Sequence, residues 1–271
     1  MRLAPLRIPC ALILTVLCVL LLTICSLTYA SPYQTSCARE MTYLGLGGLL
    51  HLGGAIKASN NIAPTVVELE NLDREDVPAF DRAYAGRWDP DVKRLSDIFL
   101  ASSLVLPTAL ILSRKEDAKT LGLMYAETLV LAAGGVNLSK GIAQRYRPFA
   151  YSDNAPLSQR LDRDAKRSFL SGHAAGIASS LVFAAKAYSD CYPDSRYRTY
   201  VWGAAITGAL SGSWLRVEGG WHFPSDALAG VLWGALVGYS IPALHHKTQT
   251  RVSIIPFVHE GQRGVIIVKR F

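Results

Sequence analysis

Three short stretches of this chain gather residue types that act on phosphate. The first runs from Lys140 through Gly141, Ile142, Ala143, Gln144, Arg145 and Tyr146 to Arg147 and Pro148. Lys140 and Arg147 are seven residues apart, almost two helical turns, so the spacing predicts both cations on one helix face. Pro148 disfavours helix at Arg147 and ends the element there. The second stretch is Ser171-Gly172-His173, immediately before an apolar run. Backbone N–H groups at a helix start bind anions, and Gly172 permits close approach. The third holds Arg216, His222 and Asp226, with five and three residues between them. Pro224 and Ser225 open the next helix, which puts His222 at its mouth and Asp226 one turn along.

Together these stretches supply fixed cations, a helix N-terminus and two histidines, one with a carboxylate near enough to orient it. Phosphoryl transfer without a metal needs this set. Cations neutralise the equatorial oxygens, a nucleophile attacks in line, and an acid protonates the leaving oxygen. No compact His, Cys or carboxylate cluster with metal-ligand spacing occurs in the sequence. Neither a metal nor another cofactor is therefore expected.

The elements that position these residues read as membrane helices. Half of the 271 residues are hydrophobic and 18% are charged, with a net charge of +7. That composition excludes a disordered chain, and five cysteines exclude a disulfide scaffold. No Lys/Arg-rich block accompanies the positive charge, so nucleic acid is not an expected partner. Five long apolar segments follow one another at 98–113, 121–138, 174–188, 200–215 and 227–244. Each is at the short end for spanning a bilayer. Gly230, Gly234 and Gly238, and again Gly208 and Gly212, recur four apart, a spacing that lets membrane helices approach closely.

The expected fold is all-α, a polytopic membrane helical bundle, with a short C-terminal β-hairpin at 252–258 and 265–271. Residues 1–30 read as an export signal or N-terminal anchor. Arg2 and Arg7 precede the apolar run 8–27, and Thr28-Tyr29-Ala30 offers a cleavage site. Residues 31–96 read as an extracytoplasmic connecting region, in which 41–55 forms a surface or re-entrant helix. Residues 97–244 form the helical-bundle domain, and 245–271 the tail.

An N-terminus that starts inside puts Ser31–Asp97 outside. The loops with Arg114, Lys115 and Lys119, with Arg196 and Arg198, and with Lys247 and Arg251 then lie inside, as the positive-inside rule requires. Loops 139–170 and 216–226 fall outside together, and the first is basic, so its cations have another task. Cys37 falls outside and Cys191 inside, which predicts that they are not bonded.

The three stretches resemble the type 2 phosphatidic acid phosphatase superfamily, with its motifs K-x6-RP, PSGH and SR-x5-H-x3-D. Lys140 to Pro148 matches the first motif fully. Ser171-Gly172-His173 matches the second, with Leu170 in place of proline. Arg216, His222 and Asp226 match the third, with Leu215 in place of serine. The resemblance covers about residues 97–244 and implies a fold of the phosphatidic acid phosphatase/haloperoxidase type.

It also implies a division of roles. His222 is the nucleophile that forms a phosphohistidine, and Asp226 holds its imidazole. His173 protonates the leaving group. Lys140, Arg147, Ser171, Gly172 and Arg216 bind the phosphoryl oxygens. The substrate is a lipid phosphate or pyrophosphate: an isoprenyl diphosphate, a glycerolipid phosphate or a lipid A phosphate. The expected setting is a bacterial inner membrane, with the site facing the periplasm. A secreted acid phosphatase acting on soluble phosphomonoesters, a vanadate-dependent haloperoxidase and a non-enzymatic membrane scaffold are the competing readings.

Other residues have two readings each. Arg145, Arg160, Arg163, Lys166 and Arg167 are headgroup contacts or a solvated basic loop. Glu127, a charge within an apolar helix, is functional by default, or else protonated or paired. His51, His245, His246 and His259 have no partners in sequence and read as surface residues. Trp221, beside His222, lines the pocket or anchors at the interface.

Overall fold

The computed structural model describes residues 31–247 and the backbone of 251–259 and 262–270. The signal-or-anchor reading of 1–30 lies outside the described residues. Helices of 20 or more residues build the body: α1 (Cys37–Ser59), α2 (Pro90–Ser113), α3 (Ala118–Ala143), α4 (Gly172–Cys191), α5 (Arg198–Glu218) and α6 (Pro224–His245). Beyond them lies an antiparallel hairpin of β1 (Arg251–His259) and β2 (Gln262–Arg270), with Arg251 opposite Arg270 and His259 opposite Gln262. The expected all-α bundle with a terminal hairpin is what the chain forms.

α4 is the central strut, and nearly every residue from Ala174 to Cys191 is buried. Its small residues let α6 lie against it. A Cβ at Gly230 would stand 2.6 Å from the Ser171 carbonyl oxygen, and Gly234 and Gly238 meet the backbone at Ala175 and Ser179 in the same way. The glycine spacing thus fixes the start of α6, with Asp226, beside the start of α4, with His173. Larger side chains fill the opposite half of the bundle, where Leu110, Leu121, Met124, Ile177, Phe183 and Tyr188 are fully buried. The Tyr125 hydroxyl donates to the Leu104 carbonyl at 2.7 Å and meets Ser180 Oγ at 2.9 Å, so this buried polar group is satisfied.

The outside of the bundle is apolar. Val105 and Leu112 on α2, and Leu228, Leu232 and Leu236 on α6, are exposed. α2, α3 and α6 are long and apolar enough to cross a membrane. An exposed face of this kind on a helix of that length is suited to lipid rather than water.

The path of residues 31–59 corrects the expected topology. The glycines of 41–55 suggest a short surface or re-entrant helix, but α1 runs 23 residues along α3. Gly47 and Gly54 press on the α3 backbone, and Gly134 and Gly141 meet the carbonyls of Gly47 and Gly54. The small residues are a packing face rather than a weakness. α1 therefore starts at the end of the bundle away from the three motifs. There the Tyr33 hydroxyl donates to Asp190 at 2.9 Å and the Gln34 N–H to the His245 carbonyl at 3.0 Å. Cys37 and Cys191 thus share one end instead of lying at opposite ends, and both are free thiols.

Residues 60–89 are likewise more than an exposed connection. A capping box of Thr65 and Glu68 starts Val66–Glu70, and the helix Ala79–Arg82 buries Asp81. This segment closes over the motif end, where the Gly86 N–H donates to the Pro148 carbonyl and the Asp89 N–H to the Gly219 carbonyl.

Candidate active site

Loop 219–223, the segment 144–171 and the start of α4 meet at one end of the bundle. His222 lies at their centre and is 1% exposed. Its Nδ1 is 2.7 Å from the Ser168 carbonyl oxygen, and its Nε2 is 3.1 Å from Arg147 Nη1. A carbonyl only accepts and a guanidinium only donates. The partners therefore fix the tautomer: Nδ1 carries the hydrogen and Nε2 presents a lone pair. Burial first, then the fields of Arg147, Lys140 and Arg216, hold the imidazole well below its ordinary protonation range. The ring is a neutral base among cations.

Arg147 reaches this position by leaving the helix. α3 stops at Ala143, and Gln144 adopts the left-handed conformation with φ of 44°. Lys140 is thus on the last turn of α3 while Arg147 lies beyond it, so the two do not share a helix face as their spacing predicts. Arg147 is nevertheless fixed. Its Nε donates to the Asp164 carbonyl at 2.8 Å, Nη1 to the Trp221 carbonyl at 2.8 Å, and Nη2 to the Asp164 carboxylate at 3.0 Å.

The second histidine is held by a residue the motifs do not include. His173 Nε2 lies 2.8 Å from Asp97 Oδ1, and the same oxygen is 3.3 Å from Arg216 Nη1. Lys93 completes the group by donating to Asp97 Oδ2 at 2.7 Å. Arg216 also donates to Ser96 Oγ at 2.9 Å. Ser171 caps α4, with its Oγ accepting the Ala174 N–H at 3.3 Å. Gly172 sits close to the site, since a Cβ there would lie 3.3 Å from a methyl of Val136 and 3.7 Å from Lys140 Nζ. The structure therefore brings Arg147 to His222, and Arg216 to His173 through Asp97, with Lys140 beside Gly172.

Three N–H donors in this region are buried without a hydrogen-bond partner: Arg216 Nε, Arg167 Nε and Trp221 Nε1. Each such group costs about 1–3 kcal/mol when left unsatisfied, a cost that an anion accepting from them would relieve. The Trp221 ring is faced by the Lys93, Arg147 and Arg216 cations at 5.2, 5.0 and 4.9 Å from its centroid. A cavity of about 560 Å³ opens here, lined by Trp88, Lys93, Asp97, Phe149, Asp164 and Trp221. Trp221 is therefore a pocket wall.

Asp226 does not touch the His222 ring. Its Oδ2 accepts the Ser168 hydroxyl at 2.5 Å and the Phe223 N–H at 2.9 Å. Its Oδ1 accepts Arg145 Nη1 at 2.6 Å. Arg145 joins it to Asp81 at 2.7 Å, and Ser225 Oγ donates to Asp81 at 2.5 Å. The expected direct hold of Asp226 on the imidazole is replaced by one passing through Ser168. Arg145 is an internal ion-pair residue rather than a surface contact. Lys166 likewise pairs with Glu68 at 2.8 Å, and Arg160 donates to the Ala150 carbonyl at 3.2 Å.

Sequence reasoning missed Asp97, Ser168 and Asp164. Asp97 is a carboxylate at the edge of an apolar run, a detectable signal. Ser168 acts on His222 through its backbone carbonyl, which no residue type announces.

Residues 121–250 match the family model described as PAP2 superfamily. No curated protein matches the chain. A similar solved structure is the crystal structure of the first transmembrane PAP2 type phosphatidylglycerolphosphate phosphatase from Bacillus subtilis. Identity is 17% over 87% of this chain and 94% of that chain, with a TM-score of 0.37.

Proposed function

From the match of residues 121–250 to the PAP2 superfamily, we propose that the chain is a membrane phosphatase acting on a lipid phosphate or pyrophosphate. The observation that carries this reading is the tautomer of His222, a buried neutral imidazole whose Nε2 lone pair sits 3.1 Å from Arg147.

His222 Nε2 attacks phosphorus in line and the bond to the leaving oxygen breaks. His173 gives that oxygen a proton; burial and the Arg216 field push its pKa down to about 4 against the pull of Asp97, so the ring takes up its proton with the negatively charged substrate in place. Water then attacks the phosphohistidine, giving its proton to His173, and phosphate leaves. Lys140, Arg147 and Arg216 neutralise the phosphoryl oxygens, with the Gly172 backbone and the Ser171 side chain at the helix start. Asp226 positions His222 through Ser168. No metal enters these steps, because the cations already present carry the charge.

A lipid substrate is favoured by the exposed apolar helix faces that flank the motif end. The basic residues Arg114, Lys115, Lys119, Arg196, Arg198 and Lys247 lie at the other end. The positive-inside rule then favours a site on the outer side, which in a bacterial inner membrane is the periplasm. Phosphate release by detergent-purified protein from a panel of isoprenyl diphosphates, glycerolipid phosphates, lipid A phosphates and soluble esters tests this reading. Release from one lipid class, lost in His222→Ala, is expected. Release from soluble esters alone contradicts the lipid reading.

A further inference from the structure

At the end of the bundle opposite the catalytic site, α1, α3 and α6 bring Glu40, Glu127 and His245 together. Glu40 is 8% exposed, and Glu127 and His245 are fully buried. One ligand atom from each lies within 4.8 Å of the others. His245, which reads as a surface residue in the sequence, is thus a core residue, and Glu127 has neighbours on two other helices.

The hydrogen bonds define what this cluster lacks. His245 Nδ1 is 2.8 Å from the Ile241 carbonyl oxygen and so carries the hydrogen. Its Nε2 faces Glu40 Oε2 at 2.8 Å and Glu127 Oε2 at 3.3 Å. A proton on Nε2 would serve Glu40 at hydrogen-bond distance. It would leave Glu127, whose buried oxygens meet no donor other than a carboxyl proton shared with Glu40. Two buried carboxylates side by side are costly unless a proton or a cation lies between them. A divalent cation among the three side chains answers to all of them.

We propose that Glu40, Glu127 and His245 form a buried divalent-cation site of the zinc class, separate from catalysis. One imidazole nitrogen and carboxylate oxygens are zinc donors, and ligand atoms about 3.3 Å apart fit tetrahedral bonds of about 2.0–2.1 Å. With one oxygen from each carboxylate and the imidazole nitrogen, the three residues supply three donor atoms, and water takes the fourth position. The supporting contacts are those that orient metal ligands. The Nδ1–H of His245 is anchored on a backbone carbonyl, and Glu40 Oε1 accepts the Ser36 N–H at 2.9 Å. The ion clamps the start of α1 and the end of α6 onto α3. Lys140 is 13 residues beyond Glu127, about 20 Å along the helix, so the ion acts on stability rather than on the reaction.

The test uses the full-length chain in detergent, stripped with chelator and titrated with zinc chloride. The expected results are uptake of about one ion per chain, a rise in Tm, and an X-ray absorption signature of oxygen and nitrogen donors with one imidazole. Glu127→Gln and His245→Ala weaken uptake about 100-fold or more, whereas His246→Ala, an exposed neighbour, leaves it unchanged. Phosphate release measured well below the melting transition is the same with and without zinc. Absence of zinc uptake and of any Tm response in the wild-type chain overturns the site, even if the variants fail to fold. Uptake that survives His245→Ala and is lost in His246→Ala overturns it too.

Discussion

Ser168 stands between His222 and Asp226. Its carbonyl accepts the His222 Nδ1–H at 2.7 Å, and its hydroxyl donates to Asp226 Oδ2 at 2.5 Å. The carboxylate therefore orients the imidazole by holding the segment that holds the ring.

This relay predicts coupled losses. Asp226→Asn lowers kcat by about 10–100-fold with the fold retained, and Ser168→Ala by several-fold, since the backbone carbonyl survives. In the double variant the second change adds little, because both cut one connection. Steady-state kinetics of the four proteins, with circular dichroism as the fold check, measures this. Fully multiplicative losses would refute the relay.

The depressed protonation of His222 sets a pH dependence. In the proposed mechanism the nucleophile is the neutral ring, so kcat/KM does not fall between pH 7 and pH 6, where an ordinary histidine of pKa about 6.5 becomes mostly protonated. The unfolded chain takes up a proton below about pH 6.5 that the native site refuses, so this histidine's contribution to stability rises with pH through that window. A pH–rate profile, corrected for ionisation of the substrate, and Tm at each pH provide the readouts. An acid limb centred near pH 6.5 that belongs to His222 would contradict the burial argument.

Arg145 is predicted to matter for stability first. It is the cation shared by the buried carboxylates Asp81 and Asp226. Arg145→Met strands both charges, at a cost of about 3 kcal/mol or more. A clear drop in Tm is expected, with Arg145→Lys intermediate. An unchanged Tm would return Arg145 to the solvated-loop reading.

The motif spacings singled out the residues that the fold gathers, though not their geometry. Lys140, Arg147, Ser171, Gly172, His173, Arg216, His222 and Asp226 are all drawn to one end of the bundle, because helix starts and ends carry them. The hydrophobic runs located α2 to α6, and the glycine spacing on α6 foretold a close helix contact, whose partner, α4, only the structure shows. What the sequence hid is what depends on backbone or long-range partners. The left-handed turn at Gln144 carries Arg147 off the helix, and Asp97 reaches His173 from 76 residues away. α1 looked too glycine-rich to cross the bundle, because its close approach to α3 needs both helices in view.

The glycine contacts give a stability contrast. Gly234→Val forces a side chain into the α4 backbone at Ala175, so the bundle is strongly destabilised. Gly122→Ala and Gly203→Ala meet nothing within 4 Å and raise helix propensity by up to about 1 kcal/mol. Thermal unfolding of the three variants in detergent reads the difference. A tolerated valine at 234 would contradict the packing of α6 on α4.

Rapid-quench trapping of the covalent intermediate tests the central claim most directly. Purified protein is mixed for milliseconds with a lipid phosphate carrying a radiolabel on phosphorus, then quenched in base. The account predicts acid-labile, base-stable label on His222, absent from His222→Ala and formed at least as fast as phosphate is released. Turnover without labelled protein, or label that persists in His222→Ala, would contradict it.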